Sequence, residues 1–504
     1  MKVSNFIWVF FNEVIKNGDN SPTKLSVLMY CYCQMLYNFG TLFKKSSIQS
    51  TDRVTPLPNY NALKAEITSM PFDKKRCDLL NNYLYIGHSA FLTHLYKTVP
   101  LTRKDYGINP VEIKPETIEN LINWSIAHVT GKSLELSRCG FSTKNTTGLP
   151  ADYTGGSTTS KYWEQLIVPT GTKTGYNNLP LIDYNDPTSF KIQNFLGKEF
   201  YLNSGFAVDP TKKIIDLGNE ISTTWETGLK EQMDKLLEVY KNLDDTKKMV
   251  AEFFAGSSRY VVPPPGFFIC IAEQLSQKYN QTTLNDLAMY FSLSAGLFDA
   301  CCGAWWYKST YNQARPINLI RDNYTNKSIN TWTPLYQNKI SANIPGKQWL
   351  PYQNFDFVTP PFPDVASGHT TFSRVASQIL DWWFNKPALY DGFSVATMPN
   401  QTIICPSLNL EIKNCSIGEY IFEQGSSTIE PGLTPKKQIV LRYKTLSELS
   451  DAAGLSRVYG GIHTFQTNEV SAKLGDWIFG QTHAKLISQF KFSSPYASTK
   501  NKKH

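Results

Sequence analysis

The sequence has no Cys-x-x-Cys pair, and its nine cysteines (Cys31, Cys33, Cys77, Cys139, Cys270, Cys301, Cys302, Cys405 and Cys415) are odd in number. A disulfide framework uses an even set and a structural zinc site uses closely paired ligands, so neither organises this chain. The thiols read as buried and free. Charge of one sign is also scarce: the net charge is +8, and the basic residues are scattered except in the tail from Lys500 to His504. That pattern leaves no footprint for nucleic acid. No repeat recurs at solenoid periods, and no run reads as apolar enough to span a bilayer. The N-terminal MKVSNFIWVFFNEVIKNGDN is interrupted by Asn5, Asn12 and Glu13, and no small-residue cleavage site follows it. The expectation is a soluble protein, cytoplasmic by default, with secretion left open. What is present is the balance of a globular chain with a large core, 41% hydrophobic and 13% aromatic over 504 residues.

Periodicity makes the chain mainly helical. Pro22 to Phe43 and Lys75 to Thr98 are apolar at helical spacing, and His88 and His94 on the second read as satisfied or surface residues rather than ligands. From Gly131 to about Pro187 the sequence turns to Gly, Thr, Asn, Pro and Tyr and reads as long surface loops. Helices resume at Trp225 to Tyr240, with Leu229, Met233, Leu236, Leu237 and Tyr240 on one side, and again after Asp244 or Asp245. Pro263 to Gly266 marks a stop and restart before a helix from Phe267 to about Tyr279. Thr283 with Asp286 makes a capping box for a long helix running past Trp305. We read residues 1–504 as one mainly helical domain: N-terminal helices over 1–130, a loop-rich segment over 131–215, a helical core holding an anion site over 216–490, and a basic tail over 491–504.

Three motifs carry chemistry. In Pro360 to Ser373 (PPFPDVASGHTTFS), Ser367-Gly368-His369 opens a helix and offers a hydroxyl, unobstructed N–H groups and an imidazole to one small oxyanion. Upstream, Lys308 is followed by Arg315-Pro316, and two helical turns between the cations would put both on one face, with Pro316 ending the helix. Downstream, Ser456-Arg457 is followed across Gly460-Gly461 by His463, ahead of a new helix capped by Thr467. Singly, each has an ordinary reading as a helix cap, a solvated basic stripe or a bundle turn. Together and in this order they describe a cation-lined site for an oxyanion.

With these residues in view, the chain resembles the vanadium-dependent haloperoxidases, in the superfamily they share with type 2 phosphatidic acid phosphatases and bacterial acid phosphatases. AEFFAG, PPPGFF, the run from Asp299 to Lys308, WTP at Trp332, TPPFP and SRVYGGIH all fit the haloperoxidase pattern, over roughly Asp216 to Lys485. Pro22 to Phe43 is similar to the family's first helix. The resemblance implies an all-α fold of two four-helix bundles with long surface loops, the vanadium chloroperoxidase and acid phosphatase type 2 fold. It implies vanadate as cofactor, with phosphate as another occupant. Lys308, Arg315 and Arg457 would neutralise the oxyanion with the Ser367 hydroxyl and the Gly368 N–H, and His463 would be the axial ligand to vanadium. His369 would act as acid and base, and Lys308 would polarise peroxide. Trp305, Phe362 and Thr467 would line and support the site. Hydrogen peroxide, a halide and an organic acceptor would be the partners of a monomer or homodimer.

Two departures from the family pattern stand out. Ala366 precedes the Ser-Gly-His where proline is usual, and Thr467 stands where the family has an aspartate four residues after the second histidine; Glu469 is the nearby candidate to replace it. Phe362, seven residues before His369, matches the fungal chloroperoxidases rather than the bromide-preferring algal enzymes. Two alternatives stay open. One is a phosphatase using His463 as nucleophile and His369 as acid; the other is a non-catalytic oxyanion-binding or structural protein.

Overall fold

The computed structural model describes residues 3–19, 21–44, 57–98, 101–140, 162–174, 183, 185–212, 214–255, 264–334, 339–390 and 417–496. Within them lie α1 (Val3–Lys16), α2 (Pro22–Thr41), α3 (Tyr60–Ser69), α4 (Lys74–Tyr96), α5 (Pro115–Thr130), α6 (Ser133–Ser137) and α7 (Lys230–Lys241). They continue with α8 (Asp245–Phe253), α9 (Pro264–Lys278), α10 (Thr283–Tyr311), α11 (Pro316–Asn323), α12 (Gly368–Phe384), α13 (Leu446–Tyr459) and α14 (Phe465–Phe490). The strands form only short antiparallel pairs: β1 (Ile167–Pro169) with β2 (Phe190–Ile192), β3 (Ser328–Thr331) with β4 (Ala342–Pro345), and β5 (Glu419–Phe422) with β6 (Ile439–Arg442). The loop from Pro399 and the tail from Lys500 lie largely or wholly outside the described residues.

Two groups of four helices make the framework. α1, α2, α4 and α5 pack together at the N-terminal side, and α10, α12, α13 and α14 form the second group, joined to the first where α10 runs along α2. α10 is apolar all round and buried from Asp286 through Trp305, as a helix enclosed on every side must be. By length and hydropathy it could cross a membrane, which corrects the expectation that no run is long enough, but its apolar window is entirely buried in the protein's own core. Gly296 lets α12 approach closely, since a Cβ there would stand 2.3 Å from Ile379 Cδ1. A second, smaller core gathers Met233, Leu236 and Tyr240 of α7, Ile317 and Ile320 of α11, and Trp332, Trp349 and Tyr352.

Helix boundaries refine the sequence reading. α2 and α4 fall where periodicity puts them. α9 begins at Pro264, so its prolines sit in the first turn, where a missing N–H costs no helical bond. The cap of α10 is Thr282, whose hydroxyl accepts from the Asn285 N–H, while Asp286 accepts from Ser276 and Gln281 instead of closing a capping box. The stretch Trp225–Leu229 is a π-turn leading into α7.

His88 is a satisfied core residue, its ring nitrogens 2.6 Å from the Tyr32 hydroxyl and 2.8 Å from that of Tyr106. Burial pushes its pKa down to about 3. Below pH 6.5 the unfolded chain takes up a proton here that the native state refuses, so the native state loses stability as pH falls through the window from 6.5 toward 3. His88→Gln keeps a hydrogen-bonding side chain without the proton uptake. Its unfolding free energy should therefore fall less steeply than wild type between pH 6.5 and 4, by about 1.4 kcal/mol per pH unit, read from urea titrations at stepped pH. Parallel profiles would overturn the assignment.

Candidate oxyanion site

The site is assembled from three chain segments. α10 delivers Lys308 in its last turn, then ends at Tyr311 because Asn312 takes the left-handed conformation at φ 46°. Arg315 is therefore not on the helix of Lys308, as a seven-residue spacing suggests; it caps α11, and Pro316 starts that helix rather than ending the previous one. The two cations still converge because both bond to one run of backbone. Lys308 Nζ donates to the carbonyls of Pro363 (2.8 Å) and Asp364 (3.1 Å), and Arg315 Nε donates to that of Phe362 (2.8 Å).

The same run leads into α12. Ser367 is its N-cap, its Oγ accepting from the Thr370 N–H at 3.3 Å, and the Ser367 N–H donates to Ser471 Oγ at 2.7 Å. Gly368 and His369 occupy the first turn, where helix N–H groups have no partner within the helix. His369 Nε2 donates to the Phe254 carbonyl at 2.9 Å. His369 is partly exposed, whereas Lys308, Arg315, Ser367, Arg457 and His463 are all buried.

The third segment is the turn from α13 to α14. Arg457 Nη2 donates to the Ala251 carbonyl at 2.5 Å, and Nε to Ser456 Oγ at 2.9 Å. Gly461, at φ +70°, lets the chain pass Tyr240, since a Cβ there would meet the Tyr240 hydroxyl at 2.2 Å. α14 is capped by Thr464 rather than Thr467. Thr467 lies in the first turn and donates from Oγ1 to Asp364 Oδ2 at 2.9 Å. His463 Nδ1 is bonded to Asp364 Oδ1, and Arg315 Nη1 stands 3.4 Å and 3.2 Å from its two ring nitrogens. Glu469 is exposed, so the carboxylate beside His463 belongs to Asp364. That residue was missed because nothing in its local sequence marks it.

The aromatic lining is also in place. Phe362 lies 4.7 Å from Lys308 Nζ and 5.2 Å from the Arg315 guanidinium, measured to the ring centre, and packs against Trp305 at 5.2 Å. Trp305 is fixed by a bond to the Leu196 carbonyl at 3.0 Å.

Electrostatics say what is missing from this arrangement. Burial pushes Lys308 well below its ordinary range, helped by Arg315 alongside, and pushes Arg315 down to about 10 and Arg457 to about 9. Burial likewise holds His463 well below the ordinary imidazole value, reinforced by Arg315, Lys308 and Arg457, so its ring is neutral at pH 7. Burial raises Asp364 to about 6 against the pull of Arg315 and Lys308. Lys308 and Arg315 thus share the Asp364 carboxylate, Arg457 has no carboxylate partner among the described contacts, and Arg315 Nη2 is buried without a hydrogen-bond partner. An unpaired buried donor on a cation is costly, and an oxyanion is the group that would satisfy it. Vanadate or phosphate fits this donor set.

Comparison with known proteins bears on the fold. Residues 288–491 match the family model described as VCPO second helical-bundle domain, VCPO being vanadium chloroperoxidase. No curated protein matches by sequence. Among solved structures, an apo-type bacterial vanadium-dependent chloroperoxidase superposes with a TM-score of 0.67 at 15% identity, over 94% of this chain and 96% of the other. The holo-type bacterial enzyme gives 0.65 at 16% identity, over 94% of each chain. The first bacterial vanadium-dependent iodoperoxidase gives 0.51 at 16%, again over 94% of each. Residues 288–491 are thus similar to that family's second helical bundle, and the fold of the chain is that of the vanadium-dependent chloroperoxidases.

Proposed function

We propose that the protein is a vanadate-dependent haloperoxidase, oxidising a halide with hydrogen peroxide to a hypohalous acid equivalent that halogenates an organic acceptor. One observation carries this reading: three buried cations surround a neutral imidazole with, among the described residues, Asp364 as the carboxylate beside them, and a guanidinium nitrogen is left unpartnered. Lys308, Arg315 and Arg457 would hold the oxyanion by charge-assisted bonds, with the Ser367 hydroxyl and the Gly368 N–H as further donors. His463 would offer Nε2, its Nδ1 being engaged by Asp364. Bound there, vanadate would supply the activation of peroxide toward halide, with no electron-transfer partner.

The remaining work falls to the chain's own groups. Hydrogen peroxide, halide and one proton give hypohalous acid and water, so a proton must be delivered at each turnover. His369 is partly exposed and its ring is held neutral by burial, Arg457 and His463, so it would take up and pass on that proton without retaining it. Phe362 and Trp305 would keep water off the face of Lys308, strengthening its pull on a bound oxygen.

The test is a paired assay on metal-free protein. With orthovanadate, peroxide and chloride, bromide or iodide, a dye acceptor should be halogenated only when vanadate is present. Orthovanadate at a hundred times its Kd should also stabilise the fold by about 2.7 kcal/mol, raising the melting temperature. Hydrolysis of p-nitrophenyl phosphate, inhibited by vanadate, would move the protein to phosphate-ester chemistry through His463. Silence in both assays, with the melting temperature unmoved by vanadate, would sink both enzymatic readings.

A further inference from the structure

Asp364 stands in an unusual place for a residue that contacts His463. It lies 99 residues away in sequence, three residues ahead of Ser367, and is 1% exposed. Each polar group it carries is engaged. Its N–H donates to the Gln313 carbonyl at 3.0 Å, and its own carbonyl accepts from Lys308 at 3.1 Å. One carboxylate oxygen takes His463 Nδ1 and lies 3.8 Å from Arg315 Nη1; the other takes the Thr467 hydroxyl at 2.9 Å. The residue is thus tied to the end of α10, to the cap of α11 and to the first turn of α14.

We propose that Asp364 is the positioning residue for His463 in this chain, supplying from the run before α12 the carboxylate that position 467 lacks. The inference rests on the reading of His463 as the residue that meets the oxyanion. A carboxylate is acceptor-only, so the imidazole proton is fixed on Nδ1 and Nε2 is left with its lone pair, beside Arg315 Nη1 at 3.2 Å. Thr467 holds the carboxylate's other oxygen and so fixes its plane. One short stretch, Phe362 to His369, then provides the carbonyl anchors for Lys308 and Arg315, the carboxylate for His463, and the hydroxyl, N–H and imidazole of the α12 turn. Because these groups share one backbone segment, a shift of that segment moves the cations and the imidazole together.

The test exploits the contact between positions 364 and 467. Asp364→Ala, Thr467→Asp and the double variant are prepared as full-length protein with 15N-labelled histidine, the His463 signals being assigned by their loss in His463→Ala. In wild type, His463 should appear as a single tautomer, protonated at Nδ1. Asp364→Ala should lose that single tautomer and bind orthovanadate roughly 10- to 100-fold more weakly by calorimetry. The double variant, whose new carboxylate arises where the Thr467 hydroxyl now meets Asp364, should recover the tautomer and most of the affinity. It also keeps the test alive if the single variant does not fold. An unchanged tautomer in Asp364→Ala, or a double variant that folds without recovering it, would overturn the proposal. Wild type that shows the fixed tautomer but binds neither orthovanadate nor phosphate would support the positioning role and reject the oxyanion reading, so the two fail separately.

Discussion

His463→Ala is expected to abolish vanadate-dependent halide oxidation, by a thousandfold or more, on the order seen when a residue bonded to the reacting centre is removed. The site's cations can attract an oxyanion from three sides, but attraction is not fixation. The imidazole of His463 lies among all three cations, and it is neutral because burial, Arg315, Lys308 and Arg457 all oppose its protonation. Without it, Lys308, Arg315 and Arg457 keep their anchors on the carbonyls of Pro363, Phe362 and Ala251. The variant should therefore fold, and should retain weak binding of orthophosphate while losing turnover. Steady-state halogenation and phosphate calorimetry on the same preparation separate the two. Unchanged turnover would mean that His463 is not the ligand.

The largest effect on stability is expected away from the oxyanion site, at Glu430→Ala. Lys248 of α8 donates to Glu430 Oε2 at 2.6 Å, and the two side chains are 4% and 0% exposed. Trp332 Nε1 and Thr434 Oγ1 donate to the same carboxylate at 2.9 Å and 2.7 Å. Removing the carboxylate leaves a buried ammonium and two buried donors without their acceptor, a loss of about 3–5 kcal/mol. The cluster matters to the site because α8 is its floor: the Ala251 carbonyl holds Arg457 and the Phe254 carbonyl holds His369. Glu252 adds a second clamp, accepting from Tyr352, Ser427 and Thr428. Urea unfolding should show the loss, and Lys248→Met in the same background should recover much of it by removing the stranded charge. A cost below about 1 kcal/mol would mean that Lys248 reaches water in the variant.

How much was legible in the sequence depended on whether a feature was local. The Ser-Gly-His turn opens α12 as read, because a serine cap and the N–H groups behind it are properties of consecutive residues. α2 and α4 follow from apolar spacing, and the glycine before His463 from a turn no side chain would fit. The cap of α14 is Thr464, three residues before the Thr467 that the sequence suggests, because the two are chemically alike and only the backbone shows which one precedes the helix. Arg315 lies beside Lys308 but on a different element, since a spacing of seven cannot reveal that Asn312 breaks the helix between the two cations.

The sequence by itself determined the residue types of the site: two histidines, three cations and a helix-opening serine, in an order that fits an oxyanion. Local chemistry needs no fold to be recognised. Only the tertiary structure decided that the carboxylate for His463 comes from Asp364, that Thr467 serves that carboxylate, and that α10 is a core helix. Each of these depends on surfaces brought together from distant parts of the chain, and a contact across 99 residues leaves no trace in the spacing of either partner.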